Sequence, residues 1–480
     1  MQVKEQIKKL GSESLIYGLS GVFTKFISIF LVPFYTAVFS PADYGIIGLI
    51  TNTFILVNIL VVLALDNAAH RWFWDHEAEE ERRTTINTWA WFQFGLTLLA
   101  GGVLFWGSDF LAVRFLERPD ASLYLKINAL ALPLTSWVTV VTNVLRLQRR
   151  AKMTVVYTLS TSLLYIGLNV VFILWLGMGL AGIYYSQLIM AFAGMVWAFF
   201  LLRAYITLPA INQDRLREML RYSVPFIPAG IAFWIVNLSG TYFLQFFTST
   251  REVGLYQIGT TVATAAALVT NAFQQAWGPF ALSIHKAENA NQVYAQVLTL
   301  YTVGTSAICL LLTLFAPEIL QVLTNPRYYD AAWVASILSF NYLLIGLGYI
   351  ASIGLGIAKK TAPMGFIMTV SAGLIILFNF ILVPVMGMEG SAVATFGAQA
   401  IVPLYLFYRS QKIYPIPYNF RAVGIVLLLA LLLGFGTRLF LWQQEVGPYL
   451  SILFKTVPVI VFGLFIHNAG LLSLSLLKVK

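Results

Sequence analysis

Charged residues and cysteines are scarce in this chain of 480 residues. Asp, Glu, Lys and Arg make up 10% of it, whereas a soluble domain has about 25%, so an ordinary soluble globular protein is excluded. A single cysteine, Cys309, excludes an intrachain disulfide framework. The sequence also lacks a phosphate-binding glycine loop, the ligand spacing of a zinc site and a Gly-x-Ser-x-Gly turn. We therefore expect no ATP hydrolysis, no metal, no cofactor and no enzyme activity.

Long apolar runs fill most of the sequence instead. Residues of the hydrophobic types make up 59% of the chain, and the mean hydropathy is +0.80. Each run must satisfy its own backbone hydrogen bonds in lipid, which predicts an all-α polytopic membrane protein. With about 20 residues per span, we expect about fourteen spans, at 12–38, 44–66, 86–107, 121–144, 153–176, 180–202, 223–247, 254–280, 293–315, 328–356, 363–386, 389–408, 422–442 and 449–467.

The distribution of Lys and Arg predicts the orientation of these spans. Most of the basic residues fall in one alternate set of links, together with both ends of the chain. Because cytoplasmic loops carry this excess, both termini are expected in the cytoplasm. The net charge of +10 is accounted for mainly by that bias. It is dispersed over many loops, so binding to nucleic acid is not predicted.

An internal repeat relates the two halves of the sequence. "FSPADYGIIGLIT" at 39–51 resembles "TSTREVGLYQIGT" at 248–260, an offset of 209, and further along an offset of 210 pairs 149–150 with 359–360. Two blocks of six spans with the same orientation would be related by a pseudo-two-fold axis along the membrane normal. The expected division is an N-lobe at 1–208, a C-lobe at 209–412 and an extra helix pair at 413–480. In both repeats, Ser-x-x-Asp or Ser-x-x-Glu predicts a helix-capping box.

Lys25 is the most unusual residue of the first span. It lies about halfway along that span, on a stripe with small and polar residues: Ser14, Gly18, Gly21 and Ser28. A lysine at the bilayer centre costs about 2.5–3.5 kcal/mol and should face a cavity or a partner, although a snorkelling lysine is the alternative. We interpret Lys25 as part of a binding site.

Two arginines and one acid are further candidates. Arg71 follows the second span, and Arg146 lies near the cytoplasmic end of the fourth, where an ordinary positive-inside arginine is an equally good interpretation. At the offset of 209, Trp234 replaces Lys25 and Phe280 replaces Arg71, so the first block has cations where the second has aromatic residues. This difference favours an anionic ligand held mainly by the first block. Asp66, at the end of the second span, is the candidate for a proton or cation site.

Polar stripes supply candidates for contacts with sugar. One stripe runs along the eighth span and includes Asn271 and Gln275. Amides and hydroxyls on such a stripe are more often hydrogen-bonding contacts between helices than ligands of a substrate. They also suit a polyhydroxylated ligand, and both interpretations stay open.

The sequence resembles the polysaccharide-transporter, or oligosaccharide (Wzx-type) flippase, family. The segments that carry the resemblance are "SGVFTKFISIFLVPFYTAVFSPADYGIIGL", "LALDNAAHRWFWD", "LRLQRRAK", "REVGLYQIG" and "QQAWGPF". This family belongs to the superfamily that also contains multidrug exporters and the lipid II flippase. The resemblance covers nearly the whole chain.

The resemblance implies a fold and a function. It implies two lobes around a cationic cavity, and alternating access that carries a polyprenyl-pyrophosphate-linked oligosaccharide from the cytoplasmic to the outer leaflet of a bacterial plasma membrane. Lys25 and Arg71 match the family's cations. The last helix pair resembles one that forms a lipid-tail groove in the lipid II flippase. Membrane lipids, a proton or sodium ion, and polymerase and glycosyltransferase partners are also implied.

Three other functions compete with this expectation. A multidrug or cation exporter would share the fold but would favour acids in its cavity. An integral-membrane polymerase or ligase would need catalytic residues in the exterior links, where few candidates occur. A scaffold without transport would leave Lys25 unexplained.

Overall fold

The computed structural model describes residues 31–76, 78–206, 210–443 and 448–471, and every regular element in those ranges is a helix. Twelve helices there are long and apolar enough to cross a membrane. The predicted class, an all-α polytopic membrane protein, is confirmed. The helices of the first half are α1 (Pro41–Val62), α2 (Leu65–Asp75), α3 (Glu79–Arg114), α4 (Ala121–Leu147), α5 (Ala151–Val170) with a π turn at Val171–Trp175, and α6 (Leu180–Leu202).

The helices of the second half begin at Gln213. α7 (Gln213–Ser223) continues through a 3-10 turn at Val224–Phe226 into α8 (Ile227–Leu238). The remaining helices are α9 (Gly240–Phe247), α10 (Thr250–Ser283), α11 (Ala290–Leu323), α12 (Ala332–Ala351), α13 (Ile353–Ile357), α14 (Ala362–Ile413), α15 (Phe420–Gln443) and α16 (Pro448–Asn468), with a 3-10 turn at Pro326–Ala331 before α12.

The helix α14 contains two of the predicted spans. Gly387, with φ 56° and ψ −133°, interrupts its 52 residues between the predicted spans 363–386 and 389–408. The first predicted span lies outside the described residues except for 31–38, which are helical. The total of fourteen spans and the cytoplasmic termini therefore stay predictions.

The ends of α4 and α13 have the same local structure, which confirms the repeat at this turn. Arg149, after α4, has φ 54°, and Lys359, after α13, has φ 55°. The next N–H groups, those of Arg150 and Lys360, each donate to the carbonyl five residues earlier at 2.9 Å. Both helices thus end in the same left-handed cap, at the offset of 210 that the sequence indicates.

The two predicted capping boxes differ from each other. The Ser40 hydroxyl accepts from the Asp43 N–H at 3.2 Å, and the Asp43 carboxylate accepts from the Ser40 N–H at 3.1 Å, which closes the box. The Ser249 hydroxyl accepts from the Glu252 N–H at 3.4 Å. The Glu252 carboxylate instead accepts from the Met388 N–H at 2.8 Å, so it caps the helix segment that follows Gly387.

Contacts divide the chain into two compact units, each with its own buried core. Among the described residues, unit 1 takes residue 31 and those between 46 and 234, and unit 2 takes 32–45 and those between 235 and 471. The core of unit 1 includes Trp89 and Trp137, and that of unit 2 includes Tyr294 and Phe340. Unit 2 also contains α15 and α16, which pack on α11. Cys309 is buried in the same unit, and its thiol donates to the Ser339 carbonyl at 3.3 Å. The predicted division at 208 and 412 stays a prediction.

Two glycines allow a close crossing inside unit 2. A Cβ atom at Gly45 would collide with the carbonyl oxygen of Thr250, and one at Gly254 would collide with that of Pro41. Gly254 follows Gly45 by 209 positions, and Thr250 follows Pro41 by the same interval. The two contacts are therefore reciprocal: each helix start places its glycine against a backbone carbonyl of the other.

Candidate functional site

A break between α1 and α2 organises the candidate site in unit 1. Leu63 and Ala64 both have φ 53°, in the left-handed region. Such a conformation costs roughly 1–2 kcal/mol for each non-glycine residue. The local sequence contains no glycine or proline to favour it, so packing around the turn must hold the two residues there. The break places Asp66 in the first turn of α2.

A cavity of about 520 Å³ lies beside this break. Its walls are mostly apolar, with five polar side chains, which is the usual composition of a small-molecule site. The described residues that line it are Ile55, Asn58, Ile59, Val62, Ala64, Asp66, Asn67, Trp89, Gln93, Thr139, Phe226, Ile227 and Gly230. Asp66 is the only ionisable side chain among them, and they include no lysine or arginine.

One polar group in the wall is fixed in orientation. The indole N–H of Trp89 donates to Oε1 of Gln93 at 2.7 Å, and both side chains are almost fully buried. Because its oxygen accepts that bond, Gln93 offers its amide N–H groups to the cavity. The Thr139 hydroxyl donates back to the Thr135 carbonyl at 3.2 Å, so its lone pairs stay available.

His70 lies one helical turn after Asp66. Its pKa is lowered chiefly by burial, with Asp66 raising it and Arg146 lowering it to a smaller extent. Its Nε2 atom is buried and has no hydrogen-bond partner among the residues that the structure describes. Burial therefore disfavours the charged form of this imidazole, next to the acid of the cavity.

Arg71 and Arg146 are exposed and do not appear among the described residues that line the cavity. Arg71 pairs with Asp75 at 3.3 Å, one turn along α2. Its guanidinium carbon lies 5.1 Å from the ring centroid of Tyr222. Hydrogen bonds to Tyr222 and then to Asp75 raise the pKa of Arg71. Lys25 lies outside the described residues, so the predicted cationic set stays a prediction.

The two predicted amides belong to unit 2. Asn271 is half-buried and Gln275 is exposed, one turn apart on the same face of α10. Gln275 follows Asp66 by 209 positions, so the repeat pairs a neutral amide with the carboxylate of the cavity. α10 runs unbroken through this region.

A set of hydrogen bonds seals another part of unit 2. The side-chain amide of Asn325 donates to the Thr36 carbonyl at 2.5 Å, and the Thr36 hydroxyl donates to the Leu323 carbonyl at 3.3 Å. The Tyr328 hydroxyl donates to the Phe39 carbonyl at 2.9 Å. These bonds fasten residues 36–39, at the end of the first predicted span, to the end of α11 and to the turn that follows it.

A family model described as "Polysaccharide biosynthesis protein" matches residues 37–332, well over half of the chain. The chain belongs to this family. A comparison with curated proteins gave no match.

Solved structures of other proteins show the same fold as this chain. The lipid II flippase MurJ, in an inward-closed conformation, has a TM-score of 0.73 at 14% identity, covering 95% of this chain and 100% of that one. An inward-facing multidrug resistance MATE family transporter of the MOP superfamily has a TM-score of 0.61 at 15% identity, covering 86% and 95%. A MOP superfamily transporter from Pyrococcus furiosus, titled for a reversed polarity of its binding pocket, has a TM-score of 0.53 at 16% identity, covering 86% and 96%.

Sequence reasoning missed two buried cations of this chain, Arg438 and Lys455. Arg438 on α15 donates to the Ala332 carbonyl at 2.7 Å and to the Ser336 hydroxyl, and it lies 4.0 Å from the ring centroid of Trp333. Lys455 on α16 pairs with Glu318 on α11. In both cases, a charge inside an apolar run was the signal for burial.

A second cavity, of about 500 Å³, lies next to α15. Its walls are almost wholly apolar and include Trp333, Phe435 and Trp442, with Glu389 as the one charged residue among the described lining. Glu389 stands in the first turn after Gly387, as expected for a residue at a helix start.

Proposed function

We propose that this protein is a flippase for polyprenyl-pyrophosphate-linked oligosaccharide. It moves this cargo from the cytoplasmic to the outer leaflet of a bacterial plasma membrane by alternating access, for surface polysaccharide biosynthesis. The observation that carries the proposal is membership of a polysaccharide biosynthesis family combined with a fold shared with a lipid II flippase. Polymerase and glycosyltransferase partners would use and supply the cargo.

The chemistry of the cargo assigns roles to the candidate residues. A diphosphate cannot enter hydrocarbon unpaired, so cations must replace its water. Lys25 and Arg71 serve that purpose, with Arg146 at the cytoplasmic end. Asn271 and Gln275 contact sugar, and Asp66 takes a coupling proton or sodium ion. The polyprenyl tail stays in lipid or against the apolar cavity beside α15.

A cell-based experiment tests this function. The gene is deleted, and lipid-linked oligosaccharide on the cytoplasmic leaflet is measured after restoring wild type, Lys25→Ala, Lys25→Arg or Lys126→Ala. Lys126 pairs with the exposed Asp109 and serves as the control lysine. We expect accumulation on deletion, rescue by wild type and Lys126→Ala, partial rescue by Lys25→Arg, and none by Lys25→Ala at equal protein level. Absence of accumulation on deletion would overturn the proposal.

One observation favours a second function, export of organic cations. Asp66 is the one ionisable side chain among the described residues of the unit-1 cavity, and a carboxylate attracts cations. An exporter would leave lipid-linked oligosaccharide unchanged on deletion. It would instead slow the efflux of a fluorescent cation such as ethidium from deleted cells.

A further inference from the structure

The unit-1 cavity presents a mixed set of hydrogen-bonding groups. Asp66 only accepts, Gln93 donates through its amide, and Asn58 and Asn67 can do either. No cation is among the described lining residues. A diphosphate would find no partner of opposite charge in this wall, whereas hydroxyl or acetamido groups would find both donors and acceptors.

We propose that this cavity holds one uncharged sugar of the cargo and that Asp66 makes it reject an acidic sugar. The inference rests on the proposed flippase function and names the class of sugar that the protein accepts. A volume of about 520 Å³ falls within the range of small-molecule sites. Phe226, whose ring is exposed, supplies aromatic surface for the apolar face of a sugar ring.

Asp66 is the specificity-determining residue. Its carboxylate accepts hydrogen bonds from sugar hydroxyls, and these charge-assisted bonds are stronger than neutral ones. A uronic acid would bring a second carboxylate into the same partly desolvated space. Like charges placed together in this way are strongly unfavourable. The cavity therefore discriminates by repulsion as well as by attraction.

Gln93 is the matching donor. The indole of Trp89 holds its oxygen at 2.7 Å, so the amide N–H groups cannot exchange places with that oxygen without losing a buried bond. A sugar hydroxyl or acetamido carbonyl oxygen can accept from them.

The broken helix supports a binding role for this place. Strained backbone concentrates where a ligand is bound, and Leu63 and Ala64 hold the strained turn that carries Asp66. The second block has a neutral amide, Gln275, on an unbroken helix at the equivalent position. Discrimination by charge is therefore confined to the first block.

Binding of three soluble probes to the purified full-length protein tests the inference. The probes are farnesyl-diphosphate-linked N-acetylglucosamine, farnesyl-diphosphate-linked glucuronic acid, and farnesol. Wild type should bind the neutral sugar probe at least tenfold more tightly than the acidic one. Asp66→Asn should reduce this ratio of affinities to below threefold, mainly because the variant binds the acidic probe more tightly. The control Asp109→Asn, outside the cavity, should leave the ratio unchanged.

A second variant allows the inference to be tested even if Asp66→Asn does not fold. Gln93→Glu preserves the acceptor for Trp89 and adds a carboxylate, so it should widen the ratio beyond that of wild type. Equal affinities of wild type for the two sugar probes, or an unchanged ratio in Asp66→Asn, would overturn the inference while leaving the flippase function standing. If neither diphosphate probe binds better than farnesol, the flippase function itself fails.

Discussion

The broken α1–α2 pair and the unbroken α10 occupy equivalent places in the two repeats, yet they differ in backbone conformation and in packing. Leu63 and Ala64 turn the chain in the first block, while Ala272 and Phe273, 209 positions later, continue a helix. Phe273 stacks on Trp277 with ring centroids 5.6 Å apart. The first repeat thus has strain and a polar cavity at a place where the second has core packing.

The comparison teaches that a duplicated scaffold can keep its structural contacts and change its chemistry. The left-handed caps at Arg149 and Lys359 and the crossing of Gly45 with Gly254 are shared. These features hold the shape of the repeat. The ionisable side chain of the candidate site is not shared, because Gln275 stands where the first block has Asp66.

The largest expected effect concerns two acids at equivalent positions. Glu318 pairs with the buried Lys455 of the extra helix pair, whereas Asp109 pairs with the more exposed Lys126 at 2.9 Å. Lys455→Met should cost about 2–3 kcal/mol, less than for a fully buried pair because Glu318 is partly exposed. Lys126→Met should cost less than about 1 kcal/mol. Thermal unfolding in detergent measures both, and equal losses would contradict the difference between the blocks.

The reciprocal crossing predicts a pair of matched losses. Gly45→Ala and Gly254→Ala should each destabilise by about 1–3 kcal/mol, because the added methyl group meets a backbone carbonyl that cannot move alone. Gly95→Ala is the control, since nothing lies within 4 Å of its added Cβ, and it should be neutral or stabilising by up to about 1 kcal/mol. Unfolding temperatures of the three variants decide the matter. A clear loss at Gly45 with none at Gly254 would show that the crossing is not reciprocal.

A substitution by glycine should have opposite effects on stability at the turn of 63–64 and at the equivalent place in α10. Ala64→Gly relieves a left-handed alanine and should stabilise by up to about 1 kcal/mol. Ala272→Gly, on an exposed position inside α10, should destabilise by about 1 kcal/mol. Urea unfolding of both variants in the same detergent measures the sign of each change in the free energy of unfolding. Destabilisation by both would mean that the turn at 63–64 is not strained.

The smallest expected effect is a pH dependence that comes from His70 in the first block. Burial lowers the pKa of His70 below its ordinary 6.5, so the unfolded chain binds the proton first as the pH falls. Stability is therefore fully present above about pH 6.5 and declines as the pH falls toward the lower, folded pKa. His70→Gln should flatten this decline between pH 7.5 and 5.5 in thermal unfolding. An identical slope in wild type and variant would remove His70 as its source.

Patterns of local origin were predictable from the sequence. Apolar run lengths placed the spans closely: 180–202 was predicted and α6 runs from Leu180 to Leu202. The Ser40–Asp43 box and the paired turns at 149 and 359 also follow from residues near in sequence.

Features that depend on distant partners were not predictable in this way. The turn at 63–64 has no glycine or proline, because surrounding packing imposes it. The Glu252 box looked like that of Asp43, but its carboxylate caps a helix 136 residues away. The pairing of Lys455 with Glu318 joins segments 137 residues apart, and no local pattern specifies such a contact.

The buried Cys309 makes this protein convenient for spectroscopy. It is the only cysteine of the chain, it is wholly inaccessible to solvent, and its thiol is bonded to the Ser339 carbonyl. A maleimide dye or spin label added to the native protein should therefore find no reactive target. Cysteines introduced at exposed sites, such as Trp106 and Val322, can be labelled in an otherwise natural sequence, and the distance between the labels can then be followed through the transport cycle.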